Sequence, residues 1–252
     1  MEKTVNVGAV VKLSILAGEI MLASGAETNR VEDTMRRILQ SHELEDIDAY
    51  STTTGIFATA SQGSDIITMM KRVKRKGNNF TKVALVNDLS RRFVAQQIDI
   101  ESALLTLRDI EKIPPYPTIV RMAGAAVASA GFALMLGGSL TDATAGLLAA
   151  FFMQLPVFYL ERVAVIAVLR DIVGGFFAAL FAMFLVDIGL GHNMDFIVIG
   201  AIMPLVPGVS LTNAIRDILA GDFISGSARL LDALLVAVSI AVGVGVALLL
   251  NL

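Results

Sequence analysis

Beyond residue 117 the chain almost runs out of charge, and that limits what it can become. Residues 118–252 carry 5 of the 20 Lys and Arg and 8 of the 23 Asp and Glu. Between those charges lie apolar stretches of about 20 residues, the length an α-helix needs to cross ~30 Å of hydrocarbon. Five are read, at about 118–138, 142–162, 170–189, 195–219 and 228–251. The second and third are hard to part, because VAVIAVL between Arg162 and Arg170 either extends one of them or forms a short bend. Residues 1–117 are different in kind, with 15 basic and 15 acidic side chains interspersed. The expected organisation is an α+β cytosolic module over 1–117 and an all-α transmembrane bundle of about five helices over 118–252. With the module inside, Arg121, Arg162, Arg170, Arg216 and Arg229 fall at cytosolic helix ends, and the turns GGSLTD and DIGLGHNMD, free of Lys and Arg, fall outside. The start MEKTVNVGAVVKLS has no secretory pattern. An odd number of spans then leaves the C-terminus outside.

Within the module, apolar spacing predicts a helix from Ala9 to Ser24, stopped by Gly25. Asn29 with Glu32 has the form of a capping box for a second helix running to about Gln40. IDAYSTTTGIFATA reads as one extended strand, SQGSD as a turn and IITMMKRV as a second strand. Helices over about Phe80–Gln97 and Ile100–Lys112, the latter capped by Asp99, complete an ααββαα order. The PPYP at 114–117 ends it.

Several chemistries are excluded. There is no cysteine, and His42 and His192 sit in different halves, so no Cys/His metal site, no metal and no thiol nucleophile is expected. No Walker A, G-x-S-x-G or H-E-x-x-H sequence occurs, so neither a cofactor nor a catalytic residue is assigned. The mixed charges argue against nucleic acid. The run Lys71 to Lys76 reads as a solvated strand end, Met69 and Met70 as core filler, and His192 as a loop residue. Small residues at fourfold spacing mark close-packing faces: Gly124 and Ala128, Gly175 and Ala179, and Ala233, Ala237, Ala241 and Gly245. Such faces serve packing inside the bundle or contact with another subunit. The polar stretch SGAETNRVED, residues 24–33, suits either a helix junction or a ligand or subunit contact.

MPLVPGVSLTNAIRD, residues 203–217, puts helix breakers and charges inside an apolar stretch. Pro204, Pro207 and Gly208 predict a fourth span broken near its middle. Irregular backbone at membrane depth is tolerated where protein or a water-filled cavity covers it. The half-helix that follows offers free N–H groups and a positive dipole end to an anion. Gly208, Ser210, Thr212, Asn213 and Arg216 are therefore the expected substrate-binding residues. Asp171, Asp217 and Asp232 are expected either to carry protons or to form charge pairs with Arg170, Arg216 and Arg229.

LAGEIMLASGAETNRVEDTMRRI near the start and IMPLVPGVSLTNAIRDILAGDFISGSARLLDALL near the end resemble the threonine/serine exporter family of membrane proteins. The resemblance covers most of the chain. Long members join such a soluble domain and five spans to a second, smaller membrane portion, so this chain resembles the larger component of the split, two-protein form of succinate-exporter type. The resemblance implies an exporter of small carboxylates or amino acids in a bacterial inner membrane, partnered in a hetero-oligomer by a separately encoded smaller membrane subunit. The rival from another class is a membrane-anchored hydrolase acting through the module, with Glu19, Glu27 or Thr52 to Thr54 as its chemistry.

Overall fold

The computed structural model describes residues 6–74 and 77–250. They form ten α-helices, one short 3-10 helix and one three-stranded sheet among the described residues. The chain packs as two compact units, Met1–Pro115 with Val209–Leu230 and Tyr116–Gly208 with Leu231–Leu252. The sequence reading cut the chain once, after 117, whereas the packing returns residues 209–230 to the first unit.

The first unit is built around α1 (Val7–Ala23), which is buried on nearly every side because it contacts α2 (Thr28–Gln40), α3 (Phe80–Val94), α4 (Ile100–Lys112) and two strands of the sheet. Val10, Val11, Leu13 and Met21 of α1 meet Met35, Ile38 and Leu39 of α2 and Phe93 and Leu107 of α3 and α4 in one apolar cluster. At Gly18 the two first helices come so close that a Cβ would run into the Met35 side chain. The sheet is antiparallel in the order β1 (Glu45–Ser51), β2 (Gly55–Gln62), β3 (Asp65–Arg72). Its inner face supplies Ala49, Ile56, Ala58 and Ala60 to the cluster, while Tyr50 and Phe57, register partners, stand on the outer face.

Three local expectations are corrected here. The first predicted strand is two strands, because Thr52 Oγ1 accepts from the amide N–H of Thr54 at 3.4 Å and of Gly55 at 3.1 Å and folds TTTG into a turn; the order is ααβββαα. Asn29 does not cap α2. Glu27 stands at the N-cap without a side-chain cap bond, and Glu32 turns away to accept the Ser51 amide N–H at 2.7 Å. Met70 is exposed, since it lies on the outer face of the edge strand β3. Asp99 caps α4 as expected, accepting from Ser102 N at 2.9 Å. Of the basic run, Lys71 reaches Glu19 at 3.6 Å, and Arg75 and Lys76 lie outside the described residues.

The second unit holds α5 (Thr118–Met135), α6 (Leu140–Arg162), α7 (Ala167–Asp187), α8 (Met194–Ile202), the 3-10 turn Met203–Leu205 and most of α10 (Phe223–Leu250). VAVIAVL is divided: Val163 to Ile166 form the connection, with Ala164 in the left-handed region at φ 55°, and α7 starts at Ala167. Arg121 near the start of α5 pairs with Glu161 near the end of α6 at 3.1 Å, so those two helix ends share one side of the bundle. At the opposite end of α6, Asp142 accepts from Ser139 Oγ and from the amide N–H groups of Ser139, His192 and Asn193, tying two loops together. Helix contacts are made by small residues. A Cβ on Gly175 would strike the Ile240 carbonyl, and one on Gly243 the Ile172 carbonyl, so α7 and α10 touch backbone to backbone. Ala237 and Ala241, by contrast, are exposed.

Four helices among the described residues are long and apolar enough to cross a membrane, and five if the bent pair Met194–Leu205 and Gly208–Leu219 counts as one span.

Candidate functional site

The fourth apolar stretch is not one helix. α8 tightens into the 3-10 turn at Met203–Leu205, Val206 leaves the helical region at ψ 131°, and α9 (Gly208–Leu219) begins anew. Proline explains the break, since Pro204 and Pro207 cannot donate the amide bonds that would carry a helix through. α9 ends as abruptly. Gly221 at φ +93° lets Gly221 N donate to Ile218 O and Asp222 N to Asp217 O, a Schellman stop that leads straight into α10. The returning helix packs tightly here, because a Cβ on Gly226 would lie 2.9 Å from Ala214 O.

The polar face of α9 meets the 24–28 loop, within the first compact unit. Asn213 Nδ2 donates to Gly25 O at 3.0 Å. Arg216 forms an ion pair with Glu27. Asp217 accepts from Thr28 N at 3.3 Å and from Thr28 Oγ1 at 3.1 Å. Arg229, from the first turns of α10, lies 2.9 Å from Asp217 and donates to Ala26 O at 3.0 Å. On its other side the loop is gripped by Asn79 N, which donates to Ser24 O at 2.9 Å. The backbone explains the glycine: Gly25 sits at φ +87°, and a Cβ there would come 2.5 Å from Asn78 Oδ1.

The centre of this joint is buried and ionic. The Asp217 and Arg229 side chains are 1% and 5% exposed. Removing two charges from water costs several kcal/mol each, so such a pair is tolerable only when further hydrogen bonds surround it. Thr28 provides them, and Asp217 in turn serves as the missing cap of α2: its carboxylate takes the first amide of that helix, where the dipole favours a negative charge. Glu32 and Asp222 lie at the edge of the cluster. Burial pushes the Glu32 carboxyl above its ordinary range, with the Asp222 charge adding to the effect and the Ser51 amide opposing it.

Of the residues expected from sequence, Asn213, Arg216 and Asp217 come together here. Ser210 is buried on the same helix, Thr212 is exposed and back-bonds to Val209 O at 3.1 Å, and Gly208 opens α9 with open space where a Cβ would be. Asp171 belongs elsewhere: in the bundle it accepts from Arg170 Nε at 3.2 Å, and its second oxygen is buried without a hydrogen-bond partner among the described residues. Asp232 is exposed on α10. Sequence reasoning missed Thr28, although the density of polar residues in 24–33 was its signal.

A family model described as a putative threonine/serine exporter matches residues 12–251. The chain is 28% identical, over 95% of its length, to a probable threonine/serine exporter of Mycobacterium tuberculosis, of which the match covers 46%. It is 25% identical, over 98% of its length, to a threonine/serine exporter of Corynebacterium glutamicum, of which the match covers 52%. The chain thus spans about half the length of the curated relatives it matches. No solved structure matches it.

Proposed function

Because the chain belongs to the threonine/serine exporter family, we propose that it carries a small amino acid or small carboxylate outward, with threonine, serine and succinate the first ligands to test. Its helices make it a multi-pass membrane protein. The observation that carries the reading is the broken fourth stretch with its buried polar continuation on α9. Secondary transporters bind their substrates at spans interrupted in this way, where half-helix N-termini face an anionic group. The ligand carboxylate meets the N–H groups after Gly208 and the side chains of Ser210 and Thr212, with Asn213 and Arg216 following on the same helix. In this structure Asn213 and Arg216 are engaged by Gly25 and Glu27. Binding then exchanges partners, the ligand replacing Glu27 on Arg216 and releasing the 24–28 loop. Of the three candidate proton carriers, Asp171 has the open oxygen, whereas Asp217 is occupied by Thr28 and Arg229.

The remainder of the reading places the first domain in the cytosol of a bacterial cell, the bundle in its inner membrane, and a smaller membrane subunit against the exposed Ala237 and Ala241 face. Family membership favours carriage over the rival hydrolase. The test is export of labelled threonine, serine and succinate from cells lacking the gene, complemented with the wild type, Asn213→Leu, Arg216→Lys or the control Leu219→Ala, with and without its chromosomal neighbours. Arg216→Lys keeps the charge but loses the two-pronged grip on a carboxylate. Reduced export in both test variants at unchanged membrane abundance supports the site. Wild-type concentration dependence in both means that the prolines only bend a packing helix.

A further inference from the structure

A second polar feature of the first unit lies outside the α9 joint. α2 and α3 run side by side and leave a groove of about 410 Å³, lined by Arg30, Asp33, Thr34 and Arg37 of α2 and by Asn87, Ser90 and Arg91 of α3, with Val94 and Ala95 closing one end. That volume lies in the range of small-molecule sites, roughly 300–1,000 Å³. Its residues are of the kind that such sites use: buried hydroxyls beneath charged side chains at the rim, with a small apolar wall.

The groove is electropositive. Three guanidinium groups face one carboxylate, that of Asp33, which lies 3.0 Å from Arg37 Nε. Arg91 is also drawn 3.3 Å to Asp88, which does not line the groove. Arg30 has no ion-pair partner among the described residues. An exposed pair at helical spacing contributes only about 0.3–0.5 kcal/mol, so Arg37 and Arg91 exchange a neighbouring carboxylate for a ligand oxygen at small cost. The groove side is organised by hydrogen bonds of its own. Thr34 Oγ1 lies 2.9 Å from Arg30 O and 3.3 Å from Asn87 Oδ1, and Ser90 Oγ donates to Asn87 O at 2.8 Å. Thr34 has one hydroxyl proton, which the shorter contact gives to Arg30 O, so Thr34 Oγ1 can accept from the Asn87 amide, and one Asn87 N–H is left for a ligand. Guanidinium forks lining one groove match carboxylate or phosphate oxygens.

We propose that the α2–α3 groove binds a small soluble metabolite carrying two or more negative charges, as carboxylates or a phosphate, at a site separate from the broken stretch. The ligand sets its charged groups between Arg30, Arg37 and Arg91, takes a hydrogen bond from Asn87, and lays its carbon skeleton toward Val94 and Ala95. Such a site senses the anion pool on the side of the membrane that the first domain faces. It needs no transport step, so it stands or falls independently of the export reading.

The test uses the full chain purified in phosphatidylcholine nanodiscs and titrates citrate and inorganic phosphate by calorimetry. Saturable binding that weakens with salt is expected, because exposed charge–charge contacts are screened. Each charge-assisted contact removed weakens binding by about tenfold or more, so Arg30→Gln and Arg91→Gln both lose affinity by that factor. Arg92→Gln, an exposed change on α3 that does not line the groove, leaves it unaltered. Circular dichroism melting of each variant separates lost binding from lost fold, and Asn87→Ala provides an uncharged second probe. Equal binding in all variants, absence of saturation with either anion, or retention only of phosphatidylglycerol in mixed nanodiscs overturns the proposal.

Discussion

The two units of this chain hold their helices together by opposite means. In the first, α9 and the start of α10 are fixed to the 24–28 loop by directional polar bonds, with a buried ion pair at their centre. In the second, α7 and α10 meet through absence: Gly175 and Gly243 have no side chain, and backbone lies against backbone. The hydrophobic effect does not drive helices together in lipid, so close van der Waals fit among small residues takes its place. Polar joints lose their attraction when one partner is removed or exchanged. Close-packed glycine faces yield only to added volume. A contact that must open during a transport cycle suits the first kind, and a frame that must stay closed suits the second.

The largest effect is expected from Asp217→Ala. It leaves Arg229 charged and buried with its carboxylate gone, and breaking a buried pair in this way costs about 3–5 kcal/mol. Thermal unfolding of the purified protein should show it. The double variant Asp217→Leu with Arg229→Met, which removes both charges and keeps apolar volume, should recover most of that loss, as replacement of buried pairs often does. A single variant that melts like the wild type would show that the joint is not held by this pair. Next in size is Gly243→Val. The added carbons meet the Ile172 carbonyl, which is backbone and moves only with its helix, so overpacking of about 1–3 kcal/mol is expected. Gly245→Ala on the same helix has nothing within 4 Å of the new carbon and should be neutral or slightly stabilising. Equal behaviour of the two would remove the contrast between the units.

Much of this was legible in the chain because the signals were local. The PPYP stop after α4, the Asp99 cap and the Pro204–Pro207 break are each written in consecutive residues, and each has its counterpart in the structure. What was illegible depended on partners far along the chain. Asn29 followed by Glu32 has the spacing of a capping box, but Glu32 finds the Ser51 amide and the cap comes from Asp217, 189 positions beyond Thr28. TTTG looked like strand because threonine favours extended backbone, and the turn arises from one hydroxyl, that of Thr52. Arg216 pairs with Glu27, a partner the sequence reading did not name for it, because periodicity gives the face of a helix and not what packs on it.

A third effect, of similar size, follows from the same long-range contacts. Asn213→Leu removes the donor to Gly25 O and leaves a buried carbonyl unpaired, at a cost of about 1–3 kcal/mol. Asn213→Gln, which keeps the amide on a longer arm, should recover part of it. Unfolding midpoints of both variants test whether the joint depends on individual hydrogen bonds or on α9 being apolar enough to stay packed.

The smallest effect concerns charge at the rim of the joint. Burial raises the Glu32 carboxyl above its ordinary range, so its charged form is disfavoured in the folded protein relative to the unfolded chain. In the interval between the ordinary and the raised value, the folded state binds more protons than the unfolded state, and stability falls as pH rises. The contribution of Glu32 is therefore fully present below the ordinary carboxylate range and is lost as pH climbs through the raised value. Glu32→Gln keeps an oxygen for the Ser51 amide but has no proton to lose. Its melting temperature, measured against the wild type from pH 4 to pH 8, should gain on the wild type as pH rises, since every other titrating group is common to both. Asp222→Asn removes the neighbouring charge that helps raise the Glu32 carboxyl, and in that background the gain should shrink. A difference between Gln and Glu that is flat with pH would mean that Glu32 meets water as freely in the folded protein as in the unfolded chain. The polar joint would then end at Thr28 and Asp217, and would not extend through Ser51 to Glu32.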